Sequence, residues 1–265
     1  MSIKRNVLAA VRSRRLTARS VLLSVLLGTD PPRLPVSVLV ATTELFGIAE
    51  GTTRTALSRM ATAGELRAED GRYQLASEQL LRRQVRQAES RRAQIRDWAI
   101  GDAWVQAVVT STGRRPADER AALRTSLQAG RLAELRQGVW LRPDNLIPEQ
   151  SLHADPSVTW FAASPEADPH ELVAALWDLP AWAAHADDLR RRLDGLVEPL
   201  DAGDRTVLAD GFVLSAEVLR ALQADPLLPP PLLPAAWPGA DLRREYERYD
   251  TAYRSVLATW FAEHR

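Results

Sequence analysis

The chain has 265 residues, with 34 Lys and Arg against 34 Asp and Glu, so its formal net charge is zero. Its 46% hydrophobic and 26% charged residues are the balance of a globular protein of about two domains, which excludes wholesale disorder and fibrous structure. With no cysteine there is no disulfide framework, thiol nucleophile or Cys-ligated zinc.

Residues 1–16 carry Lys4, Arg5, Arg12, Arg14 and Arg15 but no apolar stretch of signal-peptide length. No apolar run anywhere approaches the roughly 18 residues of a spanning helix. A cytoplasmic location is expected. Thr17–Leu27 reads as a helix with Val21, Leu22, Val25 and Leu26 on one face, stopped by Gly28-Thr29-Asp30-Pro31-Pro32. A second helix follows Pro35, with Val36, Leu39, Val40 and Leu45 as its stripe, and ends at Phe46-Gly47. A third spans Gly51–Ala63, burying Thr53, Ala56, Leu57 and Met60, with Gly64 as its stop. Two short strands then flank Asp70-Gly71, a dipeptide suited to the positive φ angles of a tight hairpin. Three helices followed by a hairpin describe a winged helix-turn-helix.

Ser77 is expected to cap a helix reaching about Asp97, with Arg82, Arg83, Arg86, Arg91, Arg92 and Arg96 around a narrow stripe of Leu81, Val85, Ala88 and Ile95. It reads as a solvated connector; the sharper alternative is a phosphate clamp of clustered guanidinium groups. Trp104–Thr110 then reads as a strand, Ala117–Ala129 as a helix, Leu132–Leu135 and Gly138–Leu141 as strands, and Val158–Ala162 as another. This order suggests a ferredoxin-like α+β layer. His170–Leu200 and Ser215–Ala224 are expected helices. The proline-rich stretch 225–239 follows, read as proline-fixed turns beneath Trp237. In the last helix, Ala240–Glu263, Leu242, Tyr246, Tyr249, Tyr253, Val256 and Trp260 recur at spacings of 4, 3, 4, 3 and 4. That stripe suits either a core or a dimer seam.

The zero net charge is a sum of two unlike parts. Residues 1–98 hold 17 basic and 9 acidic residues, or +8, and residues 99–265 hold 17 and 25, or −8. All eight tryptophans lie at Trp98 or later. A basic, Trp-free segment points to a polyanion partner for that segment alone. In a helix-turn-helix the third helix enters the major groove. With its apolar set turned inward, Gly51, Thr55, Ser58 and Thr62 face outward beside Thr52, and Arg54 and Arg59 sit on the flanks. Arginine can donate a bidentate pair to guanine or hold a phosphate, and hydroxyls serve either role. No acid interrupts Gly51–Gly64, and the free amides at the helix start favour phosphate. Arg67 and Arg72 on the hairpin are within reach of the backbone or minor groove.

Catalytic signatures are missing. There is no Gly-rich phosphate loop, GxSxG elbow or HExxH. His153-Ala154-Asp155 and His185-Ala186-Asp187 look paired, but without HxxxH spacing they read as surface or cap residues. The middle segment resembles small CRISPR-associated nucleases, which carry an acid at the end of their first strand. Here that strand ends Val108-Val109-Thr110-Ser111-Thr112, so metal-dependent cleavage lacks a ligand.

Four segments carry a family resemblance: Leu45-Phe46-Gly47-Ile48 leading to Arg54-Thr55-Ala56-Leu57-Ser58-Arg59-Met60; Gly138-Val139-Trp140-Leu141-Arg142-Pro143-Asp144-Asn145-Leu146; Leu176-Trp177-Asp178-Leu179; and Asp225-Pro226-Leu227-Leu228-Pro229 through Leu232-Leu233-Pro234 to Trp237-Pro238-Gly239. By these the sequence resembles the PaaX family of bacterial transcriptional regulators. The resemblance implies a winged-helix N-terminal domain, a ferredoxin-like middle domain and a helical C-terminal domain used in dimerisation. It also implies operator binding and, for its best-known members, release by an aryl-acetyl-CoA thioester.

The expected fold is therefore α+β, with a winged helix-turn-helix over 1–76, an Arg-rich connector over 77–98, a ferredoxin-like domain over 99–168 and a helical dimerisation and effector domain over 169–265. The expected function is a homodimeric transcriptional regulator of the repressor type. It would bind a pseudo-palindromic double-stranded operator through Gly51, Thr52, Arg54, Thr55, Ser58, Arg59, Thr62, Arg67 and Arg72, and would be nucleoid-associated when bound. No catalytic residue, metal or cofactor is expected. The effector would be an acyl-CoA thioester or aromatic-acid derivative, with no residues assigned to it. The alternatives are an effector-independent DNA-binding or interaction module, and a nuclease built on the middle domain.

Overall fold

Thr17 opens the first helix through its side chain. Its Oγ1 accepts from the Ser20 amide at 3.2 Å while the Ser20 Oγ accepts from the Thr17 amide at 2.9 Å, a reciprocal cap for two otherwise orphaned donors. The computed structural model describes residues 16–110, 116–147, 153 and 155–263. The basic stretch 1–15, Ser111-Thr112 and Ala154 of the sequence reading lie outside the described residues.

The chain divides into two units. The first comprises residues 1–85, 199–212 and 252–265. It contains α1 (Ala18–Leu27), β1 (Arg33–Pro35), α2 (Val36–Glu44), α3 (Glu50–Thr62), β2 (Leu66–Glu69) and β3 (Arg72–Leu75). Leu22, Leu26, Leu39, Leu57 and Met60 join the helices in one core, and Leu66 and Leu75 add the hairpin to it. Asp70 (φ 49°) and Gly71 (φ 68°) both take left-handed backbone at the tight turn, as the sequence reading expects. β1 is an addition to that reading. It pairs antiparallel with β3, giving the sheet order β1-β3-β2. Three residues carry no periodicity, and the prolines around them read as breakers. The two later segments of this unit are tied to each other by Tyr253, whose hydroxyl donates to the Leu208 carbonyl at 3.0 Å, and the last is tied to the first by Arg254, which donates to the Gly28 carbonyl at 3.0 Å. Phe46 meets Phe212 edge-on at 5.0 Å.

The second unit comprises residues 86–198 and 213–251. Its sheet contains β4 (Trp104–Val109), β5 (Ala133–Arg136), β6 (Val139–Pro143) and β7 (Val158–Ala163) in the order β5-β6-β4-β7, with every neighbour antiparallel. Ahead of this sheet in the chain comes α4 (Glu78–Arg92), which begins in the first unit. α5 (Ala117–Ala129) connects β4 to β5 and has the expected bounds. Trp98, Trp104, Leu141, Leu172, Leu228 and Leu232 form one core cluster; Ala107, Leu127, Trp140 and Val158 form another. Helices and two antiparallel sheets share the chain, an α+β composition.

The helices depart from the sequence reading in several places. α4 ends at Arg92 rather than near Asp97, because Ala93 turns left-handed (φ 48°). Its expected stripe is not its buried face: Leu81, Val85, Ala88 and Ile95 are exposed, and Gln87 and Ser90 are buried instead. A polar face docks here, with the Ser90 carbonyl accepting from Arg243 at 3.1 Å. The helix expected over His170–Leu200 is two, α6 (Pro169–Leu176) and α7 (Leu179–Asp201). Trp177 is extended between them, and the Asp178 carboxylate accepts from the Ala181 amide at 3.2 Å; an acidic cap followed by Pro180 is a start signal. α8 (Leu208–Ala224) begins seven residues before the expected Ser215.

In α9 (Gly239–Glu263), Leu242, Tyr246, Tyr249, Tyr253 and Val256 are buried within the single chain. These five positions of the stripe are core, and Trp260, its sixth, is part-buried. The proline-rich stretch forms a 3-10 turn at Pro230–Leu232, and Trp237 stacks on Trp182 with ring centroids 4.5 Å apart. Asp225, 1% exposed, accepts from Arg243 at 2.7 Å and from the Leu227 amide at 3.1 Å. Asn145 donates to the Leu227 carbonyl at 2.7 Å, so two of the four family-like segments are bonded to each other. Gly239 is required at this junction, because a Cβ there would lie 2.7 Å from the Trp237 indole nitrogen.

Candidate nucleic-acid interface

The α2–α3 turn is built by Phe46-Gly47, where Gly47 takes φ 68° and donates to the Glu44 carbonyl at 2.9 Å. Thr43 and Thr53 fix the angle between the helices from inside. Their hydroxyls are 2.6 Å apart and buried. Thr43 also donates to the Val40 carbonyl at 2.8 Å, so its one proton is used and Thr53 is the donor of the pair. With Thr53, Leu57 and Met60 turned inward, the opposite face of α3 is determined by helical geometry.

The nine residues selected from the sequence are all exposed. Gly51, Thr52, Thr55 and Arg59 line one wall of a surface groove of about 640 Å³, with Thr17, Ala18 and Arg19 on another side. Ser58 and Thr62 lie further along the same helix. Arg67 and Arg72 are on β2 and β3. In the hairpin register Arg72 opposes Glu69, and pleating puts Arg67, Glu69 and Arg72 on one face while Leu66 and Leu75 turn to the core. Among the described residues, Arg59, Arg67 and Arg72 make no ion pair or side-chain hydrogen bond. Free guanidinium groups on an exposed helix and an adjacent hairpin can donate to phosphate oxygens or to guanine.

Two details were not read from the sequence. α3 starts at Glu50, one residue earlier than expected, and the Glu50 carboxylate accepts from the Arg54 Nε at 2.7 Å. A negative group thus sits where helix amides would otherwise favour a phosphate, and Arg54 is engaged within the chain. The i,i+4 spacing of Glu50 and Arg54 was the available signal. The second detail concerns the hydroxyls. Thr55 donates to the Gly51 carbonyl at 2.8 Å and Thr62 to the Ser58 carbonyl at 3.0 Å. In this rotamer they offer outside groups only acceptor lone pairs, so they must rotate before donating to a phosphate. Arg19 and Glu65 pair at the groove rim (Nε to Oε2 3.1 Å), and that bond raises the Arg19 pKa further above its usual value.

Three of the six connector arginines pair with acids of the chain. Arg82 pairs with Glu78 at 2.6 Å, and Arg96 pairs with Asp144 at 2.8 Å. Arg91 pairs with Asp250 at 3.0 Å and lies over the Tyr246 ring at 5.0 Å. Deeper in the second unit, burial lowers the pKa of Arg131 and of Arg142 to about 10. Among the described residues, no group of three His, Asp or Glu side chains is placed to hold a metal, and no helix is long and apolar enough to cross a membrane.

Comparison with known proteins matches two parts of the chain. The profile described as PaaX-like protein matches residues 17–79, which include all of α1 to β3, and the profile described as PaaX-like protein C-terminal domain matches residues 177–263. The chain belongs to the PaaX-like family. A solved structure of an uncharacterized protein, Rv0674 from Mycobacterium tuberculosis, is 43% identical, with 92% of this chain and 98% of that chain covered and a TM-score of 0.67. No curated protein matches. Within the PaaX-like chain, all nine candidate residues fall inside the first profile's span.

Proposed function

We propose that this PaaX-like protein is a DNA-binding transcriptional regulator whose winged helix-turn-helix, within residues 1–76, reads a double-stranded operator. The observation that carries the reading is the exposed face of α3, where Arg59 has no ion-pair partner among the described residues and stands beside Thr52, Thr55 and Ser58, with Arg67 and Arg72 on the neighbouring hairpin. Arg59 and the hydroxyls would meet bases and phosphates in the major groove, and the hairpin arginines would reach the flanking backbone.

The protein would act as a homodimeric repressor on a pseudo-palindromic site, since a two-fold dimer presents two equivalent α3 faces. The sheet order β5-β6-β4-β7, all antiparallel with a helix after its first strand, supports a ferredoxin-like domain over 99–168, reached through the connector 77–98. The helical region 169–265 would serve dimerisation and sensing, with an acyl-CoA thioester or aromatic-acid derivative as the effector class implied by the family. The activity is regulatory rather than enzymatic, in the cytoplasm.

The test is selection from a pool of random-sequence duplexes by the purified protein. Recovery of one enriched motif with an inverted repeat is expected. Retention of duplexes without enrichment would leave only sequence-independent binding, and no retention at all would overturn the reading.

A further inference from the structure

We propose that the turn after α5 carries an oxyanion site of the second unit, where Arg131 and Arg243 together receive a carboxylate or phosphate group. All of its residues belong to that unit, so it stands whether or not α3 reads DNA. α5 closes in a Schellman turn: the Arg131 amide donates to the Gln128 carbonyl at 3.0 Å and the Leu132 amide to the Leu127 carbonyl at 3.1 Å. The left-handed position of such a turn is usually glycine. Here it is Arg131, at φ 63°, with Gly130 one residue too early to fill it. A long side chain is strained in that conformation, and backbone strain gathers at ligand sites. Although Arg131 is part-exposed, its Nη1 is closed off from solvent and has no hydrogen-bond partner among the described residues. The guanidinium thus stands at the edge of the interior with its inner nitrogen unused.

Charge and donor count together select the ligand. Asp225 is the carboxylate that acts on both arginines, and it is already committed. Its two oxygens accept from Arg243 Nη1 at 2.7 Å and from the Leu227 amide at 3.1 Å. Arg243 also donates from Nη1 to the Gly239 carbonyl at 2.9 Å and from Nε to the Ser90 carbonyl at 3.1 Å, but its Nη2 is buried with no partner among the described residues. Two cations and one anion leave the cluster with a surplus positive charge, and interior charges are stable when paired. Burial pulls the Arg131 pKa down to about 10 against the opposing pull of Asp225, the response of a cation short of a counter-charge. Guanidinium nitrogens donate and never accept. A cationic ligand would add to the surplus, and a neutral one would leave it. An oxyanion cancels it and has lone pairs for both Arg131 Nη1 and Arg243 Nη2. A phosphate monoester and a carboxylic acid share that chemistry.

The experiment melts the full chain at constant ionic strength while sodium chloride is replaced by sodium phosphate or by sodium acetate. An anion that binds the folded state raises the melting temperature with its concentration. Arg131→Met and Arg131→Gly are melted beside the unaltered protein; the glycine variant relaxes the left-handed turn, so loss of the guanidinium is not confused with loss of the fold. The unaltered protein is expected to gain about 3 °C or more over chloride, saturably, with at least one of the two anions. A larger gain with phosphate assigns the site to a phosphorylated ligand, and a larger gain with acetate assigns it to a carboxylic acid. Both variants are expected to lose the gain. Exclusion of phosphate from protein surfaces stabilises all three proteins alike, so an equal gain in the variants would overturn the proposal. The absence of any gain over chloride with either anion would overturn it too.

Discussion

The Thr43 and Thr53 hydroxyls meet 2.6 Å apart in the buried junction of α2 and α3. Two small polar groups thus hold the angle at which α3 presents its outer face. Thr53→Val keeps the shape but removes the donor, and is expected to cost about 1–3 kcal/mol in chemical denaturation. Thr43→Val leaves Thr53 only the Ala49 carbonyl at 3.4 Å. The double variant is expected to lose less than the sum of the two single losses, because no orphaned hydroxyl remains. Additive losses would show that the pair is not coupled.

Glu50 restrains the neighbouring Arg54. The pair is exposed, so breaking it changes stability by well under about 1 kcal/mol. Its effect on DNA affinity is expected to be larger in kind. Glu50→Gln removes a negative charge from the start of α3 and frees the Arg54 guanidinium, so binding to the selected duplex should tighten severalfold in a gel shift. In that background, Arg54→Ala should cost more than it does in the unaltered protein. Equal effects in both backgrounds would refute the restraint.

Asp225 and Arg243 form the most deeply buried ion pair among the described residues of the second unit, with side chains 1% and 11% exposed. Removing one partner of such a pair leaves an uncompensated charge. Asp225→Asn is expected to destabilise by about 3–5 kcal/mol, read as a fall in melting temperature. A loss under about 1 kcal/mol would contradict this account of the junction.

Arg131 is a second cation near the same carboxylate. Burial is the main cause of its pKa falling to about 10, with Asp225 opposing and Arg243 adding to the fall. Its folded pKa lies below its unfolded value, so the charged form costs stability at neutral pH. The cost is relieved as pH rises through about 10, where the folded protein releases the proton first. Arg131→Met is therefore expected to raise the melting temperature at neutral pH, by an amount that shrinks as pH rises through that value. A uniform difference across pH would contradict it.

Much of the first unit was legible because its signals are local. Pro35, Gly47, Gly64 and Asp70-Gly71 mark the ends of elements by backbone requirement alone, and α5 is bounded by Pro116 and Gly130 in the same way. The outward residues of α3 followed from its inward ones. What was not legible depended on partners far away in sequence. α4 buries Gln87 and Ser90, and Arg243 and Asp250 bond to Ser90 and Arg91 there; no periodicity in α4 announces it. The α9 stripe left core and seam open, since periodicity describes a face and not its neighbour. Asp225 with Arg243, and Asn145 with Leu227, are junctions that only the folded chain brings together. Glu50 is the exception: its spacing from Arg54 was visible, and placing the helix start one residue late hid it.

The central claim is that α3 reads DNA through Arg59, and its most direct test is a titration of the selected duplex with the unaltered protein and with Arg59→Ala. A base or phosphate contact of this kind is worth about 1–3 kcal/mol. The account predicts an affinity loss of roughly 5- to 150-fold, with melting temperature and oligomeric state unchanged. Unaltered affinity in the Arg59→Ala protein would contradict it.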